Sequence, residues 1–322
     1  MPSLRSRLLL FTMKNSHLLR FRLTKETVDW NARESILHFR DQCEEGAKRF
    51  GKIPEGMEVV PVLADGLRAE WIVPSGAGKD DVLFFVHGGG YVSGSCSDHR
   101  VHAAKFVKGA NVAALLYEYR LAPEHTFPAA LDDSVTAYRW LLSQGVAPSR
   151  IVFAGDSAGG GLCLATLLAL KDKGIPLPAA AVALSPWTDL KCTGASYGTN
   201  ARKCLSPEGT WTAFSKHYAG AHDPGLPLMS PLYGDLHGLP PLLIYAGGDE
   251  ILLDDAVRFA QKANEAGVDV TLRVGEGLFH CYPVCAPLFP EATRAMSEIC
   301  AFIKAHLPVA GPSPRPPAAN LP

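Results

Sequence analysis

The sequence has no long apolar run and no excess of charge of either sign. Its 322 residues include 31 Lys and Arg against 32 Asp and Glu, a formal net charge of −1. The basic residues are scattered, whereas a nucleic-acid partner needs a basic patch or stripe, so we expect no such partner. No stretch approaches the length of a transmembrane helix, so no integral membrane span is expected.

Paired cysteine spacings and phosphate-binding loops are also missing. Of the eight cysteines, Cys281 and Cys285 are the closest pair, and no second pair lies at the spacing of a zinc site. Others lie in apolar contexts, as Cys163 does, which predicts reduced core thiols and a cytoplasmic location. Neither a G-x-G-x-x-G string nor a Walker lysine is present, which argues against a nucleotide site.

The N-terminal segment has only some features of a signal peptide. Arg5 and Arg7 precede the apolar run 8–13, but this run is short and polar residues follow it without a small-residue cleavage site. We interpret the segment as an amphipathic helix that packs on the protein, with a peripheral membrane contact as the alternative. Whether Met1 or Met13 is the true start stays open.

Strand and helix patterns alternate along most of the chain. Two alternating runs within 57–74 flank a turn and predict a hairpin. The later apolar runs, separated by helices, predict a mostly parallel sheet with helices on both faces. The predicted strands are 82–86, 111–117, 151–154, 180–184, 242–246 and 270–274, and the predicted helices are 24–50, 99–109, 129–144, 159–173, 254–266 and 291–306.

Residues 187–240 break this alternation, because they contain no convincing core strand and are rich in glycine, proline and aromatic residues. An insertion at the C-terminal ends of sheet strands would cover the place where open α/β sheets bind ligands. We therefore predict a core from 56–186 and 241–308, covered by a cap from 1–55 and 187–240. The alternative is a surface appendage without a role in binding. The proline-rich tail 309–322 is expected to be disordered.

The string Gly155-Asp156-Ser157-Ala158-Gly159 follows a predicted strand and precedes a predicted helix. This G-x-S-x-G pattern is typical of a sharp turn that exposes a serine nucleophile. The alternative is a glycine-rich turn whose serine caps the helix. Ser157 is the candidate nucleophile.

A serine hydroxyl needs an adjacent base and an acid that orients this base. When the serine lies at a strand–turn–helix junction, the acid comes next in the sequence and the histidine follows it. His280 lies between the last strand and the last helix and is the predicted base. Asp249 is the first carboxylate after strand 242–246 and is the predicted acid. Glu250, Asp254 and Asp255 are its rivals, although the last two are better placed to begin the next helix.

The second glycine-rich string, His87-Gly88-Gly89-Gly90, follows strand 82–86. Backbone N–H groups of Gly89 and Gly90, together with that of Ala158, are candidates for an oxyanion hole, because glycine allows close approach of the backbone to a substrate.

Taken together, these motifs resemble the hormone-sensitive lipase family of α/β-hydrolases. The resemblance covers about residues 80–305 and rests on motifs in the family's order: 87–90, 119–124, 127–130, 155–160, Asp249 and His280. It implies an α/β-hydrolase fold with a helical cap, no metal and no cofactor. It also implies the same triad and the same oxyanion donors. One departure is that many members have a proline after the acid, whereas Glu250 follows Asp249 here.

The predicted function is a carboxylesterase that hydrolyses short- to medium-chain acyl esters through an acyl-enzyme. An amidase or deacetylase acting on acylated small molecules is one alternative, and a non-catalytic small-molecule receptor of the same fold is another. The oligomeric state is open, with the last strand and helix as candidates for a homodimer contact. The residues expected to contact the acyl chain, or else to hold the cap on the core, are Leu205, Trp211, Phe214, Tyr218, Leu278 and Phe279.

Overall fold

An eight-stranded sheet organises the computed structural model, which describes residues 2–15, 28–206 and 209–308. The strand order is β1-β2-β4-β3-β5-β6-β7-β8. The β1–β2 and β2–β4 pairs are antiparallel and all others are parallel, which confirms the predicted mostly parallel sheet. The strands are β1 Met57–Ala64, β2 Leu67–Pro74, β3 Val82–Val86, β4 Ala113–Tyr117, β5 Ile151–Asp156, β6 Ala180–Leu184, β7 Leu242–Gly247 and β8 Val270–Gly275.

Helices cover both faces of the sheet, and most begin or end within a few residues of the prediction. In the described part of the chain they are α1 Leu4–Lys14, α2 Arg33–Phe50, α3 Cys96–Ala110, α4 Ala129–Ser143, α5 Ala158–Asp172, α6 Ser196–Thr199, α7 Thr210–Ala219, α8 Leu253–Glu265 and α9 Pro290–Ala305. Helix α3 begins earlier than predicted because Ser95 and Asp98 form a capping box, in which each side chain binds the other residue's backbone N–H.

The central strands β3, β4, β5 and β6 are buried along their whole length. Their side chains point alternately to two hydrophobic clusters, one on each face. Phe84 and Phe153 stack in one cluster with ring centroids 4.6 Å apart, and Phe85 packs on Phe106 in the other. Burial on both faces explains why these strands are continuous apolar runs rather than alternating ones.

The N-terminal helix α1 packs on the last helix, α9. Its capping residue Ser3 is bound to the Glu291 carboxylate, and Leu9 and Leu10 pack against the adjacent core cluster. The predicted packed helix is therefore present. No helix in the described ranges has the length and apolar character needed to cross a membrane.

Helix α2 begins at Arg33, so the prediction of a helix is wrong for residues 28–32, which form turns and irregular structure. Residues 24–27 of the predicted helix and the tail 309–322 lie outside the described residues. Arg40 fixes this helix to the chain after the glycine string 87–90 and to the loop after β4. Its guanidinium donates to the carbonyls of Val92 and Ala122, at 2.6 and 2.8 Å.

The insertion 187–240 contains no strand in its described part, as expected, and it is fixed to the core by buried polar contacts. Asp189 is fully buried and bound by Arg258 of α8 at 2.7 Å. Asp255 of the same helix accepts the N–H groups of Thr188 and Asp189. The boundary between core and cap stays a prediction.

All eight cysteines are free thiols, and Cys96, Cys163, Cys281 and Cys300 are buried. Burial raises the pKa of Cys285 and of Cys300 to about 11. The expectation of unpaired core thiols is therefore met for the four buried cysteines. The location of the protein in the cell stays a prediction.

Candidate active site

Ser157 occupies the sharp turn between β5 and α5. Its φ of 56° and ψ of −123° lie in a region that non-glycine residues rarely adopt, and the turn is held by the 2.7 Å hydrogen bond from its N–H to the Leu184 carbonyl. Such strain in a serine after a buried strand is characteristic of a nucleophile elbow. The alternative prediction, a serine side chain that caps the helix, is wrong, because no capping hydrogen bond forms.

The glycines of this turn allow the helix to approach the sheet closely. A Cβ atom at Gly159 would lie 2.2 Å from the Val86 carbonyl oxygen and 2.3 Å from that of His87. The end of β3 and the start of α5 are therefore in contact at this point. As a result, the glycine string 87–90 lies directly beside Ser157.

His280 lies on the loop after β8, and its acid partner is Glu250. The imidazole Nδ1 is hydrogen-bonded to Glu250 Oε2, while Oε1 accepts the N–H of Gly247 at 2.8 Å. The Glu250 carboxylate is fully buried. It therefore fixes both the orientation and the tautomer of the ring, leaving Nε2 for chemistry.

Asp249, the acid predicted from the sequence, does not contact His280. Its carboxylate faces Lys203 at 3.5 Å and is 25% exposed. The physical reason is a turn at 247–250, in which the Glu250 N–H approaches the Gly247 carbonyl. In this turn the side chain of Glu250 folds back towards the strand end, while that of Asp249 points outward.

Burial disfavours the imidazolium of His280, but the interactions with Cys281 and Glu250 outweigh it, so the pKa of His280 lies well above its usual range. Burial also raises the pKa of Cys281, which keeps this thiol neutral near pH 7. The Glu250 carboxylate is therefore the charge that stabilises protonated His280.

The predicted oxyanion donors lie next to the nucleophile. Gly89 and Gly90 line the same cavity as Ser157, and Ala158 is the first residue of α5. Among the described residues, no acceptor pairs with the N–H of Gly89, Gly90 or Ala158. Gly90 has a φ of 66°, and a Cβ there would lie 2.2 Å from the Phe214 ring, so only glycine fits.

A buried ionic cluster supports this loop from behind. The N–H of Gly88 donates to Asp156 Oδ1 at 3.1 Å, and Asp156 Oδ2 lies 3.6 Å from His99 Nε2. Burial opposes both charges, yet their mutual attraction lowers the pKa of Asp156 to about 2 and raises that of His99 to about 10. Asp98 binds the other nitrogen of His99.

The cavity beside Ser157 has a volume of about 330 Å³ and a mainly apolar wall. Of the six predicted substrate contacts, Trp211 and Phe214 line it, and Trp211 also packs edge-on against His280 with centroids 5.5 Å apart. The structure places the other four outside this wall. Tyr218 stacks on Tyr91, and Leu278, Phe279 and Leu205 pack in the core cluster on the opposite face of the sheet from Tyr218.

Several wall residues were not predicted from the sequence as site residues. Trp30 and Phe39, from the segment before α2 and from α2, contact Phe214 with centroid distances of 5.2 and 6.2 Å. Both lie within the predicted helix 24–50, and nothing in that pattern indicated a contact with the cavity. His102 of α3 also lines the cavity, and burial lowers its pKa to about 4, so it is neutral.

A family model described as the α/β hydrolase fold matches residues 83–284. The chain is 42% identical, over 290 residues, to an acetyl-hydrolase from Streptomyces hygroscopicus, covering 88% of this chain and 95% of that one. It also resembles the crystal structure of an esterase from the bacterial hormone-sensitive lipase family, with a TM-score of 0.86 and 39% identity over 96% of this chain and 100% of the other. A second similar structure is an esterase soaked with p-nitrophenyl butyrate, with a TM-score of 0.86 and 36% identity over 94% of this chain and 99% of the other.

Proposed function

Because the chain belongs to the α/β-hydrolase family and is an enzyme of the carboxylesterase type, we propose that it hydrolyses short- to medium-chain acyl esters through an acyl-enzyme on Ser157. His280 is the general base, and Glu250, rather than Asp249, is the acid that orients it. The N–H groups of Gly89, Gly90 and Ala158 form the oxyanion hole.

Acylation begins with attack of Ser157 Oγ on the ester carbonyl carbon. His280 Nε2 takes the hydroxyl proton, and the carbonyl oxygen becomes an oxyanion that accepts hydrogen bonds from the three N–H groups. When the tetrahedral intermediate collapses, the bond to the alkoxy oxygen breaks. The leaving alkoxide receives the proton from His280, so the alcohol departs neutral and the acyl group stays on Ser157.

Deacylation repeats these steps with water. His280 Nε2 removes a proton from the water as its oxygen attacks the acyl carbon, and the oxyanion again lies against the glycine loop. Collapse returns the proton to Ser157 Oγ and releases the carboxylic acid. Each proton that His280 accepts is therefore given back within the same half-reaction.

The observation that carries this proposal is the combination of the strained elbow at Ser157 with the Glu250–His280 pair. Ser157 and His280 both line the same 330 Å³ cavity, although they are 123 residues apart in the sequence. An acid–histidine pair beside an elbow serine is the arrangement that activates a serine hydroxyl. A cavity of this size with aromatic walls suits a short acyl chain.

Ser157→Ala tests the nucleophile, with Ser206→Ala as the matched control because Ser206 lines the same cavity away from the elbow. We expect Ser157→Ala to lower kcat for p-nitrophenyl butyrate by at least about 10⁴-fold. Ser206→Ala should keep kcat within about threefold of the wild-type value, since only interactions that are stronger in the transition state than in the ground state raise kcat, and Ser206 has no role in the proposed reaction.

Mass spectrometry after treatment with diethyl p-nitrophenyl phosphate provides the second measurement. One diethylphosphoryl group should be attached to Ser157 in the wild-type enzyme, and none in Ser157→Ala. Labelling of another serine, or wild-type turnover in Ser157→Ala, contradicts the proposal.

The name of the Streptomyces relative, acetyl-hydrolase, favours a second candidate, removal of acetyl groups from acylated small molecules. The same Ser157 chemistry serves an acetyl ester or an acetamide. Matched substrates, p-nitrophenyl acetate and p-nitroacetanilide, distinguish them. A kcat/KM ratio above about 10³ in favour of the ester assigns an esterase, and a ratio near one assigns an amidase.

A further inference from the structure

Helix α1 has two apolar sides, and within the described residues one of them packs on the protein while the other is exposed. Leu9 and Leu10 face the core, whereas Leu4, Leu8 and Phe11 are 80, 67 and 64% exposed. The exposed three follow the i, i+4, i+7 spacing and share one face of the helix. Burial of an apolar side chain is favourable, and a contiguous exposed apolar patch often marks a binding surface. Three exposed apolar side chains in one row therefore indicate such a surface.

Basic side chains flank this exposed row on both sides. At about 100° per residue, Arg5 lies on one side of the row and Arg7 and Lys14 lie on the other. Residues 2–15 contain no acidic side chain, and the sequence has none before Glu26. Long basic side chains beside an apolar row can extend to lipid phosphates while the apolar row enters the acyl region.

We propose that the outer face of α1, formed by Leu4, Leu8 and Phe11 with Arg5 and Arg7, binds the surface of an anionic lipid bilayer. The occupant follows from the charge: a second copy would bring the same basic residues against each other, whereas anionic headgroups neutralise them. The helix lies in the interface plane and does not cross the membrane. The proposal goes beyond ester hydrolysis and does not depend on it.

The position of α1 gives this contact a role in substrate supply. Pro2, just before the helix, lies against Gly277, where an added Cβ would be 2.8 Å from the Pro2 ring. Gly277 is three residues before His280 on the same loop. A membrane-bound enzyme would therefore hold the active-site loop close to lipophilic esters dissolved in the bilayer.

Co-sedimentation of the full chain with vesicles tests the proposal. We expect wild-type protein to bind equimolar phosphatidylglycerol–phosphatidylcholine vesicles more tightly than pure phosphatidylcholine, and to lose this preference at high salt. Leu8→Ser/Phe11→Ser should weaken binding at least tenfold. Phe11→Trp should retain it, because tryptophan suits the interface.

Two double variants test how much the basic side chains of α1 contribute to vesicle binding. Arg5→Gln/Arg7→Gln should weaken binding to the anionic vesicles about 25-fold, at about fivefold per charge. Lys108→Gln/Lys173→Gln removes the same charge from exposed positions elsewhere and should change binding less than twofold. Leu63→Ser, equally exposed on β1, is the apolar control.

Equal binding to both vesicle types, or equal losses in the control variants, overturns the proposal. A wild-type dimer in gel filtration that Leu8→Ser/Phe11→Ser converts to a monomer, without vesicle binding by either protein, assigns the face to a second copy and also overturns it. Hydrolysis of soluble p-nitrophenyl butyrate should stay at the wild-type rate in all these variants, which separates failure of this proposal from failure of the proposed reaction.

Discussion

At the scale of single residues, the site depends on which of two adjacent carboxylates reaches the histidine. Glu250 is fully buried against His280, whereas Asp249 faces Lys203 near the surface. A carboxylate that orients an imidazole contributes only if it touches it, so the two side chains should differ greatly in importance. Their adjacency provides a matched pair of neutral, nearly isosteric substitutions.

We expect Glu250→Gln to lower kcat for p-nitrophenyl butyrate by about 10⁴-fold, because the amide favours the wrong tautomer of His280 and no longer stabilises its protonated form. Asp249→Asn should lower kcat by less than about fivefold. Steady-state kinetics on both purified variants measures this. The reverse order of effects would restore Asp249 as the acid.

The pKa of His280, which is raised well above its usual range, predicts the pH dependence of the enzyme. The base acts only when deprotonated, so kcat/KM should rise with pH through the His280 pKa and reach its plateau above pH 7. In Glu250→Gln the opposing charge is gone and burial remains, so the residual activity should reach its plateau at a lower pH. If the pH at which kcat/KM rises is the same in Glu250→Gln as in the wild type, the pH dependence does not come from the Glu250–His280 pair.

The sequence predicted Ser157 and His280 because each lies next to a recognisable element, a strand–turn–helix junction or the loop after the last strand. It could not separate Asp249 from Glu250, since one residue along a turn reverses the direction of a side chain. A weak signal was present: the apolar residues Ile251 and Leu252 follow Glu250 directly. The structure buries both, so the chain enters the core immediately after Glu250.

At the scale of elements, the aromatic wall of the cavity forms where segments that are distant in the sequence meet. The glycine loop after β3 contributes Gly90, α7 contributes Phe214, and the N-terminal region contributes Trp30 and Phe39. The sequence predicted a helix over 24–50 and a cap insertion over 187–240, but the packing between them depends on contacts about 180 residues apart in the sequence. Periodicity indicates which face of an element is buried, not which element covers it.

Phe214 closes this cavity against Trp30 and Phe39, so its removal should lengthen the acyl chain that fits. We expect Phe214→Ala to raise the ratio of kcat/KM for p-nitrophenyl hexanoate over butyrate about tenfold, a size typical for added methylenes in an apolar pocket. Phe302→Ala, a half-buried phenylalanine in α9 away from the cavity, is the control and should leave the ratio unchanged. An unchanged ratio in Phe214→Ala would place the acyl chain elsewhere.

At the scale of the whole molecule, the sheet lies between two hydrophobic clusters, and a buried ionic pair lies at the end of its strand β5. Composition and strand pattern were sufficient to predict the α/β architecture, because the four central strands are almost entirely apolar, with Asp156 at the end of β5 as the charged exception. The pairing of His99 with Asp156 was not predicted, since a histidine in a helix gives no sign of the carboxylate it meets after folding. This pair makes the free energy of unfolding depend on pH.

The sign follows from the two shifted pKa values. The pKa of His99 is raised from 6.5 to about 10, so its contribution to stability is complete below about pH 6.5 and is lost as the pH rises through 10. The pKa of Asp156 is lowered from 3.8 to about 2, so its contribution is present above pH 3.8 and is lost as the pH falls through 2. Both contributions to stability are therefore complete only between about pH 3.8 and pH 6.5.

We therefore expect His99→Gln to lower the Tm by about 5 °C or more at pH 6, since a buried carboxylate then lacks its partner. The difference from wild type should shrink by pH 9.5. Thermal unfolding followed by circular dichroism measures both values. His125→Gln, which removes an exposed histidine, controls for the loss of a histidine from the unfolded chain. A difference that grows with pH would contradict the ionic pairing.

The contacts that fix the insertion to the core also limit how such enzymes can be recombined. Asn200 donates to the Glu250 carbonyl at 2.9 Å, and Asp189 and Arg258 form a second connection. Residues 187–240 and the segment that carries Glu250 are therefore held together as one structural unit. A chimera that exchanges 187–240 alone between relatives would separate these partners, whereas one that exchanges 187–258 as a block would keep them together.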